Sequence, residues 1–180
     1  ELRSSVRECI DYFGSEEVLD GAVWRCPLCG PATGASGVAT KQLRIALPVP
    51  ACLIIHLKRF RSEGVFREKV KTRVDFPVGE ADGNFLDIGS CVLAPAASAV
   101  PTVLYELYGV VCHMGGLSGG HYVAYARCVD GIWRKFDDSR VSTVENPAEL
   151  LHRDELTTAA YMLFYQNCEA SQLATPEEML

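Results

Sequence analysis

Four runs rich in tyrosine, valine and phenylalanine lie in the second half of the chain and constrain its fold most strongly. They read TVLYELYGVVCHM, HYVAYAR, GIWRKF and AAYMLFYQ, and β-branched and aromatic residues of this kind favour strands. Upstream, ACLIIHLKRF is continuously apolar at its start and predicts a strand covered on both faces, whereas VFREKVKTRVDFPV alternates and predicts an edge or half-exposed strand. About six or seven strands follow, in a mainly antiparallel sheet.

Two helices accompany this sheet, so the predicted fold class is α+β. Ser5 and Glu8 form a capping-box pair at the start of an amphipathic run, which predicts a helix over residues 6–13. An Asn-Pro pair at position 146 predicts a second helix beginning before AELL. Residues 79–101 are rich in Ala, Gly, Ser, Asp and Pro, which predicts a long surface loop.

Composition excludes several classes of partner. The chain has 180 residues, of which 48% are hydrophobic and 22% charged, as expected for one globular domain. A net charge of -6 provides no basic stripe for nucleic acid. Eight cysteines at irregular spacing, with no secretory leader and no long apolar run, predict a reduced intracellular protein of the cytoplasm or nucleus that does not bind a membrane. Because the chain starts at Glu1 and opens directly into a helical pattern, we expect it to be part of a longer protein.

One histidine stands at the start of a predicted strand whose neighbour ends in aspartates. The turn-rich CVDG between HYVAYAR and GIWRKF predicts an antiparallel hairpin that brings His121 and Asp137 to the same end. Direct opposition of the two requires an odd-numbered loop or a bulge, which we therefore predict. A carboxylate that holds one imidazole nitrogen leaves the other free to act as a base. Gly119 and Gly120 would then allow a bound backbone to approach the histidine closely.

The alternative is that His121 is a packed or solvated residue and that Asp-Asp-Ser is an ordinary turn. The other three histidines carry less chemical signal. His56 lies within a strand of large apolar residues and is expected to make a structural hydrogen bond. His113 and His152 have no partner in the sequence and are assigned no role.

A single CxxC pair lies in residues 15–50, where short alternating runs and a Gly-rich loop predict a small β excursion. Cys26 and Cys29, followed by Gly30, could direct two thiolates at one zinc ion. A redox pair is the alternative, but the strand-to-helix setting that lowers a thiol pKa is missing. Half of a structural zinc site is the favoured interpretation.

Taken in order, CPLCG, LIIHLKRF, VDFPV, YELYGVVCHMGGLSGGHYVAYAR, WRKFDDS and AAYMLFYQ resemble the second half of the catalytic domain of the ubiquitin-specific protease family, over residues 7–166. The resemblance implies the palm of a papain-like cysteine protease with part of a β zinc-finger subdomain, the fingers. Residues 1–168 would be the C-terminal portion of that domain, with partial fingers at 14–46 and palm at 47–168, followed by a polar tail at 169–180.

The same resemblance assigns roles to the site residues. His121 is similar to the general base of the family and Asp137 to its orienting third member, with Asp138 able to assist or substitute. Gly119, Gly120 and Tyr122 fall where the family binds the narrow diglycine end of ubiquitin. The implied activity is hydrolysis of the isopeptide bond after the last glycine of ubiquitin, with no catalytic cofactor and with ubiquitin and ubiquitinated proteins as partners.

The nucleophile of the family has no counterpart in this chain. Nothing matches the pattern GLxNxGNxC, and Cys9 falls on the apolar stripe of the first predicted helix. The chain alone is therefore expected to be inactive and to need the missing N-terminal half of the domain, which would also supply the other zinc ligands. A non-catalytic ubiquitin-binding module or scaffold is the alternative. A zinc-ribbon nucleic-acid binder is poorly supported by one CxxC and an acidic chain.

Overall fold

An antiparallel sheet dominates the fold and confirms the predicted α+β class. A computed structural model describes residues 3–19, 39–63, 66–93, 101–117 and 119–169. The helices are α1 (Val6–Phe13), α2 (Pro147–Leu151) and α3 (Asp154–Ala159). The strands are β1 (Arg3–Ser5), β2 (Glu17–Leu19), β3 (Ala39–Lys41), β4 (Cys52–His56), β5 (Phe60–Glu63), β6 (Phe66–Lys69), β7 (Arg73–Asp75), β8 (Leu86–Asp87), β9 (Leu104–Gly115), β10 (Gly120–Arg127), β11 (Trp133–Asp137), β12 (Arg140–Thr143) and β13 (Ala160–Asn167).

The four aromatic runs form strands, as predicted, and the structure places these strands at the centre of the main sheet. Its strand order is β12-β11-β10-β9-β13-β4, and β8 also pairs with β9. Every pairing in this sheet is antiparallel. The sequence does not reveal strand β12 or helix α3, because four and six residues are too few to show a strand or helix period. The central strand β9 positions both β10, which carries His121, and β13.

Helix α1 begins as its capping box predicts. The Glu8 backbone N–H donates to the Ser5 hydroxyl at 3.2 Å, and the Ser5 backbone N–H donates to the Glu8 carboxylate at 2.7 Å. The helix ends at Gly14, whose N–H donates to the Ile10 carbonyl at 2.9 Å. Helix α2 is likewise capped by Asn146, whose side chain accepts from the Glu149 N–H. Local sequence alone therefore determines both helix starts.

The core lies between one face of the main sheet and the helices. Buried side chains of this face pack with Val6 of α1, Leu151 of α2 and Leu156 of α3, and burial of each large one contributes about 1.5–3 kcal/mol. Two buried tyrosines satisfy their hydroxyls at backbone carbonyls, Tyr165 at Pro77 and Tyr105 at Pro50. The largest completely buried side chains of this core are Tyr105, Tyr165, Phe76, Leu86, Ile88, Leu107, Leu151 and Leu163.

The prediction that ACLIIHLKRF forms a strand covered on both faces is wrong. Strand β4 is the edge of the main sheet and pairs only with β13 among the described strands. Its side chains alternate, so that Leu53 and Ile55 are half-buried while Ile54 is 53% exposed. A continuous apolar run does not distinguish an edge strand with one open face from a central strand.

The alternating segment after β5 leaves the main sheet. It divides into β6, which forms a hairpin with β5, and β7, which pairs in parallel with β1. Buried Arg59 stabilises this departure because its guanidinium donates to four backbone carbonyls, of Val70, Thr72, Thr157 and Ala160, at 2.5–3.2 Å. Burial lowers the pKa of Arg59. One cation thus connects three segments of the chain.

Residues 79–93 are folded against the core, so the prediction of a surface loop over residues 79–101 is wrong for this part. They contain β8 and a 3₁₀ turn (Gly89–Cys91), and Leu86 and Ile88 are completely buried. Asp82 closes the preceding turn by accepting backbone N–H groups, including those of Val78 and Asn84. The high glycine and alanine content of this segment therefore obscured the two residues that bury it, Leu86 and Ile88. Residues 94–100 lie outside the described residues.

The predicted β excursion is represented by the antiparallel pair of β2 and β3. Cys26 and Cys29 come between β2 and β3 in the sequence, outside the described residues, so the zinc half-site stays a prediction. Within the described ranges, no helix is long and apolar enough to cross a membrane.

Arg59→Met is expected to lower the free energy of unfolding by about 3 kcal/mol, because it leaves buried carbonyls without donors. Urea unfolding should show a lower midpoint at an unchanged slope. Lys58→Met is the matched control, since Lys58 is the exposed neighbour and its loss should cost less than about 0.5 kcal/mol. Equal midpoints for the two variants would contradict the role of Arg59.

Candidate active site

The β10–β11 hairpin determines which side chains meet at its open end. Its register runs from Ala124↔Phe136 to Arg127↔Trp133, which leaves the five residues 128–132 in the loop. This loop is odd-numbered, as predicted. Inside it, Asp130 accepts from the Ile132 N–H at 3.1 Å. An odd count keeps odd-numbered residues of both strands on the same face.

His121 and Asp137 are in contact at this end of the sheet. The distance between His121 Nε2 and Asp137 Oδ1 is 2.5 Å. Continuing the register by one residue places Asp137 opposite Val123, so the prediction of direct opposition is wrong and His121 is the diagonal neighbour. Diagonal positions are about 7–8 Å apart at the backbone, a gap that an imidazole and a carboxylate can span.

The electrostatics of this pair favour a histidine base. The hydrogen bond to Asp137 raises the pKa of His121, and the charges of Asp137 and Asp138 raise it further, against burial and the charge of Lys135. The hydrogen bond from Lys135, followed by that from His121, lowers the pKa of Asp137. An ionised carboxylate only accepts, so the neutral imidazole carries its proton on Nε2. The lone pair of Nδ1 is then the basic site, and no described residue donates a hydrogen bond to it.

Asp138 lies in the two-residue turn between β11 and β12, next to the pair. It has a φ of 52°, a left-handed conformation that Asp tolerates better than most residues. A carboxylate oxygen of Asp138 lies within 4.8 Å of the ligand atoms of His121 and Asp137. His121 nevertheless forms its hydrogen bond with Asp137, and Asp138 acts on it through charge. The bond between Nε2 and Oδ1 is the arrangement that an acid–base pair requires.

The two glycines predicted to contact substrate have different surroundings. A Cβ on Gly119 would meet nothing within 4 Å, so space is open there. A Cβ on Gly120 would lie 2.0 Å from His113 Nε2, so this position must be glycine for the imidazole to pack. At Gly120 it is the imidazole of His113, a part of the fold itself, that approaches the backbone closely.

Tyr122 follows His121 on β10 and points to the opposite face of the sheet, because successive side chains of a strand alternate. Its side chain is half exposed, and its ring centroid lies 4.8 Å from that of His113. The structure thus brings His121, Asp137 and Asp138 together and leaves Tyr122 on the other face.

His113, to which the sequence assigned no role, is buried on the face of the sheet opposite His121, next to Tyr122. Its carbonyl accepts from Lys69 Nζ at 2.5 Å. Burial, and secondarily the charge of Lys69, lowers the pKa of His113, which favours its neutral form. Its pairing partner across the strands is Tyr122, a contact that depends on the register of β9 with β10 and that no local sequence pattern indicates.

The predicted hydrogen bond of His56 is not found among the described residues; its ring instead packs on Tyr161 with centroids 4.5 Å apart. An exposed edge-strand position removes the need for a polar partner. His152 does have a partner, because its Nε2 lies 2.9 Å from Asp82 Oδ2.

The cysteine nearest to His121 in register is chemically inert. Cys112 pairs with Val123 and shares a face of the sheet with His121. It is completely buried, and desolvation raises the pKa of its thiol to about 12. At neutral pH such a thiol is almost never ionised, so it cannot serve as the nucleophile.

A papain-like α+β fold with a histidine oriented by a carboxylate defines a class of hydrolases, and comparisons with known proteins identify the family. The family described as "Ubiquitin carboxyl-terminal hydrolase" matches residues 21–165. Human ubiquitin carboxyl-terminal hydrolase 15 is 38% identical over 164 residues, covering 89% of this chain and 15% of the human protein. Ubiquitin carboxyl-terminal hydrolase 10 of Arabidopsis thaliana is 37% identical over 177 residues, covering 97% and 17%.

A solved structure agrees with this assignment. A chain of the SAGA Ubp8/Sgf11/Sus1/Sgf73 DUB module bound to ubiquitin aldehyde superposes with a TM-score of 0.70 and 29% identity, covering 92% of this chain and 35% of the other. The chain therefore belongs to the ubiquitin carboxyl-terminal hydrolase family, the ubiquitin-specific proteases. It spans less than a fifth of the length of these two curated relatives.

Gly120→Ala is expected to lower the free energy of unfolding by about 2 kcal/mol, because the added methyl group displaces His113. Gly119→Ala is the matched control and should change it by less than about 0.5 kcal/mol. Thermal and urea unfolding of both variants measure the difference. An equal loss of stability would show that His113 does not impose the glycine.

Cys112 is expected to resist iodoacetamide at pH 8 in the folded chain, whereas exposed Cys52 reacts. Peptide mapping by mass spectrometry after timed alkylation measures both rates. Unfolding in urea should make the two thiols equally reactive. Alkylation of Cys112 at the rate of Cys52 before unfolding would contradict its burial and raised pKa.

Proposed function

We propose that this chain carries the base and the orienting carboxylate of a cysteine-type deubiquitinase. The observation that carries the proposal is the 2.5 Å contact of His121 Nε2 with Asp137, which leaves Nδ1 as a base at the sheet end. Membership of the ubiquitin carboxyl-terminal hydrolase family supports the substrate class.

The proposed reaction hydrolyses the bond after the last glycine of ubiquitin through a thioester. His121 Nδ1 takes the proton of a cysteine thiol, and the thiolate attacks the glycine carbonyl carbon. The C–N bond breaks and the imidazolium donates its proton to the leaving amine. His121 then takes a proton from water as the water attacks the thioester. The C–S bond breaks, and the imidazolium returns this proton to the departing cysteine, which frees the C-terminus of ubiquitin. Asp137 stabilises the imidazolium in each half of the reaction.

The thiol comes from a part of the protein outside this chain in this proposal. Cys112 is excluded by its burial and by a pKa of about 12. Cys9 on α1 is partly buried next to the core, as expected of a small apolar residue. The N-terminal half of the catalytic domain is thus the partner that completes the site, and the chain alone is expected to be inactive.

Ubiquitin and ubiquitinated proteins are the proposed binding partners. The open space at Gly119 leaves room for a narrow peptide end close to His121, and the acidic chain, with a net charge of -6, suits a basic tail. The solved relative bound to ubiquitin aldehyde supports the same partner.

Zinc has a structural role in this proposal and enters no step of the reaction. Cys26 and Cys29 would supply two thiolates, a donor type that zinc accepts, and an upstream pair would supply the other two. The six cysteines of the described residues are free thiols, which supports a reducing compartment, the cytoplasm or the nucleus.

A non-catalytic ubiquitin-binding module is the second candidate. It is favoured by the sequence, which contains no nucleophile pattern, and by the inert thiol of Cys112 on the face of His121. In that case ubiquitin would bind, but the histidine would have no thiol to activate.

The deciding experiment compares the longer parent protein with its His121→Ala variant. Ubiquitin with a C-terminal electrophile reports a reactive thiol, and ubiquitin with a C-terminal fluorogenic amide reports turnover. The parent should be labelled and should turn over substrate, and His121→Ala should lower kcat by about 10²–10⁴-fold. The isolated chain should show neither reaction.

His56→Ala is the matched control, because His56 is exposed on the edge strand and should retain normal turnover. Equal, robust turnover by the parent and its His121→Ala variant would remove His121 as the base. Ubiquitin binding without labelling of the parent would favour the non-catalytic module.

A further inference from the structure

Lys135 reaches the oxygen of Asp137 that His121 does not use. It lies two residues before Asp137 on β11, so both side chains are on the same face. Its Nζ is 2.9 Å from Asp137 Oδ2, whereas His121 Nε2 is 2.5 Å from Oδ1. The carboxylate is thus held between two partners, one at each oxygen.

A single partner would leave this carboxylate free to turn. The Cβ–Cγ torsion of an aspartate has a broad, roughly two-fold energy profile, so the side chain alone has little preference for one orientation. The Asp137 side chain is 30% exposed, and water competes for its oxygens. An ammonium on Oδ2 removes this freedom because turning the carboxylate would break both contacts.

We propose that Lys135 is a positioning residue that holds Asp137 with one oxygen on Nε2 of His121 and thereby fixes the tautomer and orientation of the imidazole. The catalytic consequence rests on the deubiquitinase function proposed above, whereas the effect on the imidazole does not. Lys135 acts through Asp137 and touches no reacting atom.

The charges around His121 make this role testable by the direction of a titration shift. The hydrogen bond to Asp137 is the largest contribution and raises the pKa of His121. The charges of Asp137 and Asp138 raise it further, and burial and the charge of Lys135 lower it. Among the surrounding elements, β9 presents uncharged Met114 opposite His121, and β12 presents Arg140 opposite Asp137.

Two further cations lie close by but bind elsewhere. Lys69 donates to the carbonyls of His113 and Gly115 at the end of β9. Arg134, adjacent to Lys135 on β11, pairs with Asp130 in the hairpin loop. Arg134 therefore offers a matched control in which a neighbouring cation of the same strand is removed.

If Lys135 positions Asp137, removing Lys135 weakens the hydrogen bond between Asp137 and His121. Because this bond is the largest contribution that raises the pKa of His121, the pKa falls. If Lys135 is only a nearby positive charge, removing it ends the repulsion between its ammonium and the protonated His121 ring, and the pKa of His121 rises. The two roles therefore predict shifts of opposite sign for the same substitution.

The experiment is an NMR titration of the His121 ring in the full chain, with ring nitrogen shifts reporting the tautomer. Lys135→Met should lower the pKa of His121 and give a mixture of neutral tautomers, whereas the wild type carries its proton on Nε2. Lys135→Arg, which keeps a charged donor, should retain the wild-type pKa and tautomer. Arg134→Met should leave both unchanged. An unchanged or raised pKa of His121 in Lys135→Met would overturn the proposal.

Two more variants keep the test decisive. Lys135→Gln, with a neutral and shorter side chain, should lower the pKa of His121 as Lys135→Met does. It is used in place of Lys135→Met if the methionine variant does not fold. Asp137→Asn should also lower the pKa. Adding Lys135→Met to Asp137→Asn should lower it no further, because no carboxylate remains to be positioned. A further fall would overturn the proposal.

Turnover in the longer parent separates this proposal from the proposed function. Lys135→Met should lower kcat about 10-fold at an unchanged KM, and Lys135→Arg should restore most of it. A normal kcat for Lys135→Met with a lowered pKa of His121 would contradict the catalytic consequence. Normal turnover in Asp137→Asn and His121→Ala would instead contradict the deubiquitinase function and leave the titration result standing.

Discussion

The hydrogen-bonded register between β9, β10 and β11 is the constraint on which the site depends. Side chains of a strand alternate between faces, so a slip of one residue between β10 and β11 would move Asp137 to the face opposite His121. The five-residue hairpin loop and the uninterrupted pairing of β10 with β9 hold this register. The chemistry of two exposed side chains is thereby tied to the most buried part of the sheet, where Cys112 and Val123 face each other.

The elements that could be predicted are those whose structure is determined by residues close together in the sequence. The capping box of α1, the Asn-Pro start of α2 and the hairpin that carries His121 are each determined by residues close together in sequence. Contact between His121 and Asp137 followed from hairpin parity, but their diagonal arrangement did not, because it depends on the exact length of the loop. The family resemblance contributed the roles, which the pattern of residues left open.

Features that depend on distant neighbours could not be predicted. The exposure of Ile54 is decided by β4 lying at the sheet edge, and the burial of Leu86 and Ile88 by the pairing of β8 with β9. The donation of Arg59 to four carbonyls requires three separate segments to converge. Likewise, Gly120 was expected to make room for a ligand, whereas the nearest obstacle to a side chain there is His113.

The exposure of the pair determines how strongly its members act on each other. His121 is 47% exposed and Asp137 30%, so water screens their attraction in the chain alone. If another part of the protein or a ligand covered this end of the sheet, it would exclude the water and strengthen the attraction between Asp137 and the imidazolium. The loss of water would also disfavour the charged form of the imidazole. The balance favours the ion pair only if the carboxylate is already correctly oriented, because a buried charge without its partner is costly. The fold must therefore orient the carboxylate before this end of the sheet is covered. The contacts of Asp137 with His121 on β10 and with Lys135 on β11 provide this orientation.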